Sequence, residues 1–229
     1  MFKDKSARYY YQKSIQILKG EGIISFLIRV FRKLKRGIYS SSEAFWFCRD
    51  LYEPNEKISP LIDARMEYDS EDEILSWLKK HHARFGWLYI PSEIELKQRE
   101  KHFFPFVRIG NNIAGYIKVG ISQVYVADFD EIIPLPGKTA MVYDTFVLPE
   151  YRQLKVASFI IAEIIEFLRK AGFHHLWCHI PSWNKSSINA YSKAGFRKVD
   201  HVRYTRLLRW KFFSRDVTEM IKENSCRLS

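Results

Sequence analysis

The spacing of apolar and polar positions changes period along the chain. At the N-terminal end the period is helical. Residues 6–18 predict a helix with Tyr9, Tyr10, Ile15 and Leu18 as apolar positions, broken at Gly20-Glu21-Gly22. Residues 23–37 predict a second helix. Its apolar stripe is Ile24, Leu27, Ile28, Phe31, Leu34 and Ile38, and Arg29, Arg32, Lys33 and Arg36 lie on the opposite flank. Ser40-Ser41-Ser42 predicts a hinge, Ala44 to Leu51 a strand, and Glu53 to Pro60, with two prolines, a linker. Ile62 to Tyr68 then predicts a strand, and a helix starts near Asp69-Ser70-Glu71 with Ile74, Leu75 and Leu78 on its buried face. Phe85 to Ile90 reads as a buried aromatic loop or a wall of the acceptor site, and Ser92 to Arg99 as a short helix. Phe103 to Ile109 and Ile113 to Ala127 predict a β-hairpin turned at Gly110-Asn111-Asn112, with a bend at Gly120.

The clearest pattern runs from Met141 to Phe196. Thr139 to Leu148 predicts a central strand stopped by Pro149, and a polar segment, Glu150 to Lys155, follows. Val156 to Lys170 predicts a helix closed by Ala171-Gly172; then come a strand, Phe173 to Ile180, and a short helix, Ser186 to Ala194. A turn that opens a helix presents free N–H groups and partial positive charge, which suits an anion such as a phosphate. Val202 to Trp210 predicts a last strand, in which Arg203, Arg206 and Arg209 recur every third residue and do not fit one strand face. From Ser214 the tail predicts a helix to about Lys222 and an interaction surface.

Within this stretch stands Val147-x-Pro149-x-x-Arg152-x-x-Lys155-x-Ala157, followed by Asn184 and by Tyr191-x-x-x-Gly195-Phe196. The set resembles the acetyl-CoA-binding core of the GNAT N-acetyltransferase superfamily, most strongly over residues 139–200. The resemblance implies a mixed α/β fold, a sheet flanked by helices. It also implies that the central strand splays from the next parallel strand to admit the pantetheine arm. The main chain of Phe146 and Val147 would hold the acetyl carbonyl and the amide arm, a use of backbone donors suited to acyl transfer. Arg152, Gln153, Leu154, Lys155, Val156, Ala157 and Ser158 would wrap the pyrophosphate. Asn184 would bond the pantetheine or nearby backbone, or act as a turn or helix cap. Tyr191 would protonate the leaving thiolate, or simply pack. At Lys155 the chain departs from the family, which has Gly there. The lysine either obstructs the phosphates or adds charge to them, and the second reading fits the otherwise intact motif.

A base is also needed to take the amine proton. His179 stands where some relatives carry a Glu, and an imidazole is a common general base. Asp144 on the central strand, expected on the opposite face from Tyr143 and Thr145, and Glu150 after it rank next; a solvent-mediated route needs none of them. Cys178 is expected to face away from His179 and to pack in the core. Adjacent histidines on a helix point apart, so His81-His82 is not expected to bind metal, and no metal is expected elsewhere. Asp128-Phe129-Asp130-Glu131 reads as a solvated acidic loop without calcium-loop spacing. A weaker reading turns these acids toward a cationic amine.

Composition adds location and partners. The chain has 229 residues, 47% of them hydrophobic, enough for one buried core with an appendage. Three widely spaced cysteines give neither a disulfide framework nor a zinc site and fit a reducing cytoplasm. The net charge of +11 belongs to the ends: residues 1–40 hold ten basic and two acidic residues, and residues 197–229 nine and four. This argues against nucleic acid as the substrate of the core. The helix at 23–37 is too short in apolar residues to span a membrane and lacks a cleavage pattern. It packs on the protein or a second copy, or it lies on the anionic inner face of a membrane.

The expected organisation is a basic helical extension and linker over residues 1–59, a GNAT-like domain over 60–212 and a tail over 213–229. The expected activity is transfer of an acetyl group from acetyl-CoA to a primary amine in a ternary complex. The acceptor would be an amino sugar or nucleotide-linked amino sugar, or next a peptide amine. The alternative is a non-catalytic module that binds CoA or only packs, docked to a membrane or partner by its basic helix.

Overall fold

In a computed structural model, residues 39–55, 58–68, 71–82, 102–126, 128–129, 131–208 and 210–227 are described. The helices expected at 6–18, 23–37 and 92–99 and the aromatic loop at 85–90 lie outside these residues. The chain forms two units: Met1–Ser42 with Tyr204–Phe213, and Glu43–Arg203 with Ser214–Ser229.

The larger unit is built on a mixed sheet. Its strands are β1 (Tyr39–Asp50), β2 (Arg65–Glu67), β3 (His102–Phe103), β4 (Phe106–Ile109), β5 (Asn112–Ile121), β8 (Thr139–Val147), β9 (His175–Pro181) and β10 (Arg197–Leu207), of which the first four residues of β1 and the last four of β10 are counted with the smaller unit. A separate hairpin, β6 (Gln123–Val126) with β7 (Glu131–Pro134), interrupts the run. The sheet order is β10-β1-β9-β8-β5-β4-β2, with β3 beside β5. Strands β8 and β9 run parallel, whereas β1 with β9 and β5 with β8 are antiparallel. The described α-helices are α1 (Glu71–His82), α2 (Val156–Lys170), α3 (Lys185–Lys193) and α4 (Val217–Arg227).

Each face of the sheet has its own core. Ile74, Leu75 and Leu78 of α1 pack with Phe104, Phe106, Ile113, Tyr116, Phe146 and Leu148. The other face carries the apolar stripe of α2, Val156, Ile160, Ile161, Ile164, Ile165 and Leu168, against Ile117, Val119, Ala140, Val142 and Leu176. The helical period of α2 and the alternation along β5 and β8 supply these faces directly.

Several expectations need correction. Ser40, Ser41 and Ser42 are not a hinge but the start of β1. That strand lies N-terminal to the boundary expected at 53–60, yet it is hydrogen-bonded in the sheet from Ala44 to Asp50. The strand expected at 62–68 is three residues long and sits at the sheet edge. The second hairpin arm bends at Ser122, not Gly120: Ser122 takes φ 69° and separates β5 from β6. The strand expected to run to Trp210 ends at Leu207 and turns back as β11 (Trp210–Phe213). The tail helix begins at Val217, where Asp216 accepts from the Glu219 N–H at 3.1 Å. It buries Val217, Met220 and Ile221, so it is part of the packed structure.

Candidate active site

The site begins with an extra residue in β8. Against β5, Lys118 pairs with Asp144 and Val119 with Val142, so Tyr143 has no partner of its own in the ladder. Such a bulge bends its strand and puts neighbouring side chains out of alternation. The pairing of β8 with β9 stops at the same place: Thr139–Val142 pair with His175–Cys178, and no further. Meanwhile β9 stays paired with β1 as far as Pro181. One strand bends with β5, the other is held by β1, and a gap opens between them.

A cavity of about 200 Å³ occupies that gap. Val142, Tyr143, Asp144 and Thr145 line it from β8, Cys178 to Pro181 from β9, Asn184, Ser187 and Tyr191 from α3, and Asp128 from the β6–β7 turn. Four expected residues therefore meet here: Tyr191, His179, Asp144 and Asn184. Glu150 is exposed and is not part of these walls.

Tyr191 is buried, and its hydroxyl lies 2.7 Å from the Thr145 hydroxyl. Burial, with Cys178 and Asp144 nearby, pushes its ionisation well above that of an ordinary tyrosine, although the Thr145 bond acts the other way. The phenol is held in its protonated form, as a proton donor requires. Thr145 is thus a site residue that the sequence motif does not contain.

His179 is 7% exposed at its side chain, with Trp46 and Phe129 rings 5.5 and 5.9 Å away. Its Nε2 lies 3.6 Å from Asp128 Oδ2, and its Nδ1 is buried without a hydrogen-bond partner. The imidazole holds the Asp128 carboxyl below the usual carboxylate range. The start of the loop read as solvated is therefore anchored: Phe129 is fully buried and Asp128 faces His179. No cluster of metal-ligating side chains occurs among the described residues.

Asp144 is not a free carboxylate. Its Oδ2 accepts from Tyr116 at 2.9 Å and lies 3.2 Å from Nζ of Lys118, whose side chain is fully buried. A buried ammonium needs a charged partner. Asp144 supplies it, so its carboxylate is already engaged by Lys118 and Tyr116. Tyr143 packs against the α1-side core, the side of Tyr116 and Lys118, rather than opposite Asp144 as alternation alone implies. The bulge accounts for the change. Cys178 lies in the α2-side core, and burial pushes its thiol well above the ordinary range.

The backbone of the gap is also not as expected. Leu148 N–H donates to Ala114 at 2.8 Å, and Gly115 pairs with Val147 and Tyr116 with Phe146. In an antiparallel pair, hydrogen-bonded and non-bonded positions alternate. Phe146 is thus committed to β5 and does not face the gap; Val147 and Thr145 do. The Val147 carbonyl accepts from Arg152 Nε at 3.2 Å, which leaves its N–H as the donor toward the gap. Gly115 lets the two strands approach: a Cβ there would sit 2.6 Å from the Phe146 carbonyl oxygen.

Beyond β8, Pro149–Tyr151 form a 3₁₀ turn, and Gln153 and Lys155 take φ 65° and 60°. Leu154 between them is half-buried, and its carbonyl accepts from Leu61 N–H at 3.1 Å. Arg152, Gln153 and Lys155 are exposed. Lys155 is the N-cap of α2 in left-handed conformation and gives no side-chain cap. The first-turn N–H groups at Val156, Ala157 and Ser158 have no partner within the helix. Lys155 keeps the backbone conformation that Gly favours, at a cost of about 1 kcal/mol. Asn184 caps α3 instead: its Oδ1 accepts from Ser187 N–H at 3.2 Å and from the Ser186 hydroxyl at 3.0 Å. Only its amide nitrogen remains for a ligand.

A splayed parallel pair beside an uncapped helix start is the arrangement that the resemblance to the GNAT superfamily implies. The model of the acetyltransferase (GNAT) family matches residues 62–196, and the chain belongs to that family. Three solved structures are similar in fold. One, assigned to the GNAT family, from Novosphingobium aromaticivorans, has 16% identity and a TM-score of 0.50, covering 72% of this chain and 63% of that one. A GCN5-related N-acetyltransferase from Sphaerobacter thermophilus has 13% identity and a TM-score of 0.51, covering 79% and 56%. A Drosophila protein has 12% identity and a TM-score of 0.52, covering 81% and 58%. In each case the match spans less than two thirds of the other chain. A comparison with curated proteins finds no match.

Proposed function

We propose that this protein transfers an acetyl group from acetyl-CoA to a primary amine, by direct attack with both substrates bound. The observation that carries the reading is the gap between β8 and β9, with a protonated Tyr191 on one wall and the uncapped start of α2 beyond it. Acetyl-CoA would supply the acetyl group as a thioester. The N–H groups of Val156, Ala157 and Ser158, with the charges of Lys155 and Arg152, would hold the diphosphate. The Val147 N–H would meet the acetyl carbonyl, and the Asn184 amide nitrogen the pantetheine arm. Tyr191 would give its proton to the departing sulfur and share the Thr145 hydroxyl bond.

His179 would take the amine proton, and Asp128 beside it would stabilise the imidazolium that forms. Asp128 in the cavity wall, half exposed at its side chain, favours a cationic acceptor, whereas the charge of Asp144 is matched by Lys118. An amino sugar or nucleotide-linked amino sugar fits such a polar cavity, and a peptide amine is the next choice. The reaction would run in the cytoplasm, where acetyl-CoA is available.

The test is release of free thiol from acetyl-CoA across a panel of amino sugars, nucleotide-linked amino sugars and peptide amines. The expected result is turnover with at least one panel member, depressed about ten-fold or more in kcat by His179→Ala. Tight CoA binding with no turnover across the panel would favour a CoA-binding module instead.

A further inference from the structure

Helix α3 carries the proposed proton donor on a slender anchorage. Of its nine residues Tyr191 alone is buried, and the others are half-buried or exposed. Helix α2, by comparison, buries seven of its fifteen. A helix as short as α3 is marginal by itself, so its position depends on how its two ends are fastened. Asn184 fastens the first. A residue far away in sequence fastens the second.

That residue is Arg49 of β1, which is 4% exposed. Its Nη1 donates to the carbonyl of Ala194, at the end of α3, and its Nη2 donates to the Pro54 carbonyl at 2.8 Å. A helix C-terminus offers unpaired carbonyls and partial negative charge, and a cation placed there answers both. The planar fork of a guanidinium reaches two carbonyls at once, which a lysine does not match. Gly195 makes the room: it takes φ 80°, and a Cβ on it would collide with the guanidinium. From this clamp the path to the phenol is short. Phe196 follows Gly195; its N–H donates to the Tyr191 carbonyl at 3.1 Å, and its ring meets the Tyr191 ring edge-on with centroids 5.0 Å apart. The Tyr191 hydroxyl then meets Thr145 at 2.7 Å. Arg49 and Pro54 lie outside residues 62–196, so the family pattern does not mark this contact.

We infer that Arg49 is a positioning residue for Tyr191. From β1 it holds the end of α3, and through Gly195 and Phe196 it keeps the phenol at the Thr145 hydroxyl. Arg49 is not one of the cavity walls, so it acts through the helix and not on the reacting atoms. The inference rests on Tyr191 as the proton donor of the proposed acetyl transfer.

The experiment is a double-mutant cycle. The kcat and KM are measured with acetyl-CoA and the same amine panel for the wild type, Arg49→Met, Tyr191→Phe and the double variant, beside amide hydrogen exchange over residues 186–196. Arg49→Met is expected to lower kcat about five-fold, to leave the KM for acetyl-CoA unchanged, and to cost nothing further once residue 191 is Phe. Exchange in α3 is expected to quicken about ten-fold. Arg49→Lys keeps the charge with one contact and is expected to stay about two-fold below wild type in kcat. It carries the same cycle should Arg49→Met fail to fold. Equal kcat in the wild type and the Arg49 variants overturns the inference, as does unchanged exchange in α3. Losses that multiply in the double variant overturn it too and assign Arg49 to stability alone, with the acetyl-transfer reading left standing. No turnover by the wild type across the panel overturns that reading, and the inference with it.

Discussion

One helix start lines the cavity and another stands beyond it, and they are built in opposite ways. At α3, Asn184 fills the first turn with its own side chain, accepting from Ser187 and Ser186. At α2, the left-handed Lys155 offers no side-chain acceptor. Both ends carry the same partial positive charge. The self-capped end fixes where Tyr191 stands. The other leaves its donors to a partner and places exposed cations beside them. Under the proposed function, capping would separate a helix that positions Tyr191 from a helix that holds the coenzyme.

Lys155→Asp attacks the contrast where it is greatest. A carboxylate at the α2 start competes for the same N–H groups and repels a diphosphate. Acetyl-CoA affinity is expected to fall about 100-fold, or about 2.7 kcal/mol, while the melting temperature hardly moves. Tyr191→Phe sharpens the role given to α3. It is expected to lower kcat about ten-fold or more and leave the KM for acetyl-CoA unchanged. It also deprives the Thr145 hydroxyl of its partner, at about 1 kcal/mol of stability. Adding Thr145→Val to Tyr191→Phe should recover part of that loss in a denaturant titration. Asn184→Ala is expected to reverse the pattern seen at Lys155: about 1 kcal/mol of stability lost with the cap and a smaller change in affinity. Lys155→Gly should have the least effect. Relief of the left-handed strain is offset by the entropy of glycine in the unfolded chain, for a net gain of about 0.5 kcal/mol.

Much of this was legible in the residues. The period of Val156 to Lys170 and the apolar run of Thr139 to Val147 describe α2 and β8 closely, because each buries a face whose spacing is set by its own geometry. Tyr191, His179 and Asp144 are indeed brought to one cavity. What was hidden depends on pairing across the sheet. The bulge at Tyr143 has no mark in the sequence, yet it opens the gap and alters which side chains share a side. The commitment of Phe146 to β5 follows from register alone. Asp128 looked like a surface acid, and only the fold of β6 and β7 brings it to His179. Lys118 was the missed signal: a single charge inside the apolar run of β5 needs a buried partner, and Asp144 is that partner. The serines of Tyr39–Ser42 read as a hinge because serine is common in turns; strand pairing overrides that preference.

The most direct test of the central claim is a calorimetric titration of acetyl-CoA into the wild type, Lys155→Asp and Asn184→Ala side by side. The account predicts micromolar binding by the wild type, about −8 kcal/mol, a collapse in Lys155→Asp and a modest change in Asn184→Ala. Equal affinities in wild type and Lys155→Asp, or no binding by the wild type, would contradict it, since the start of α2 would then not be where the coenzyme is held.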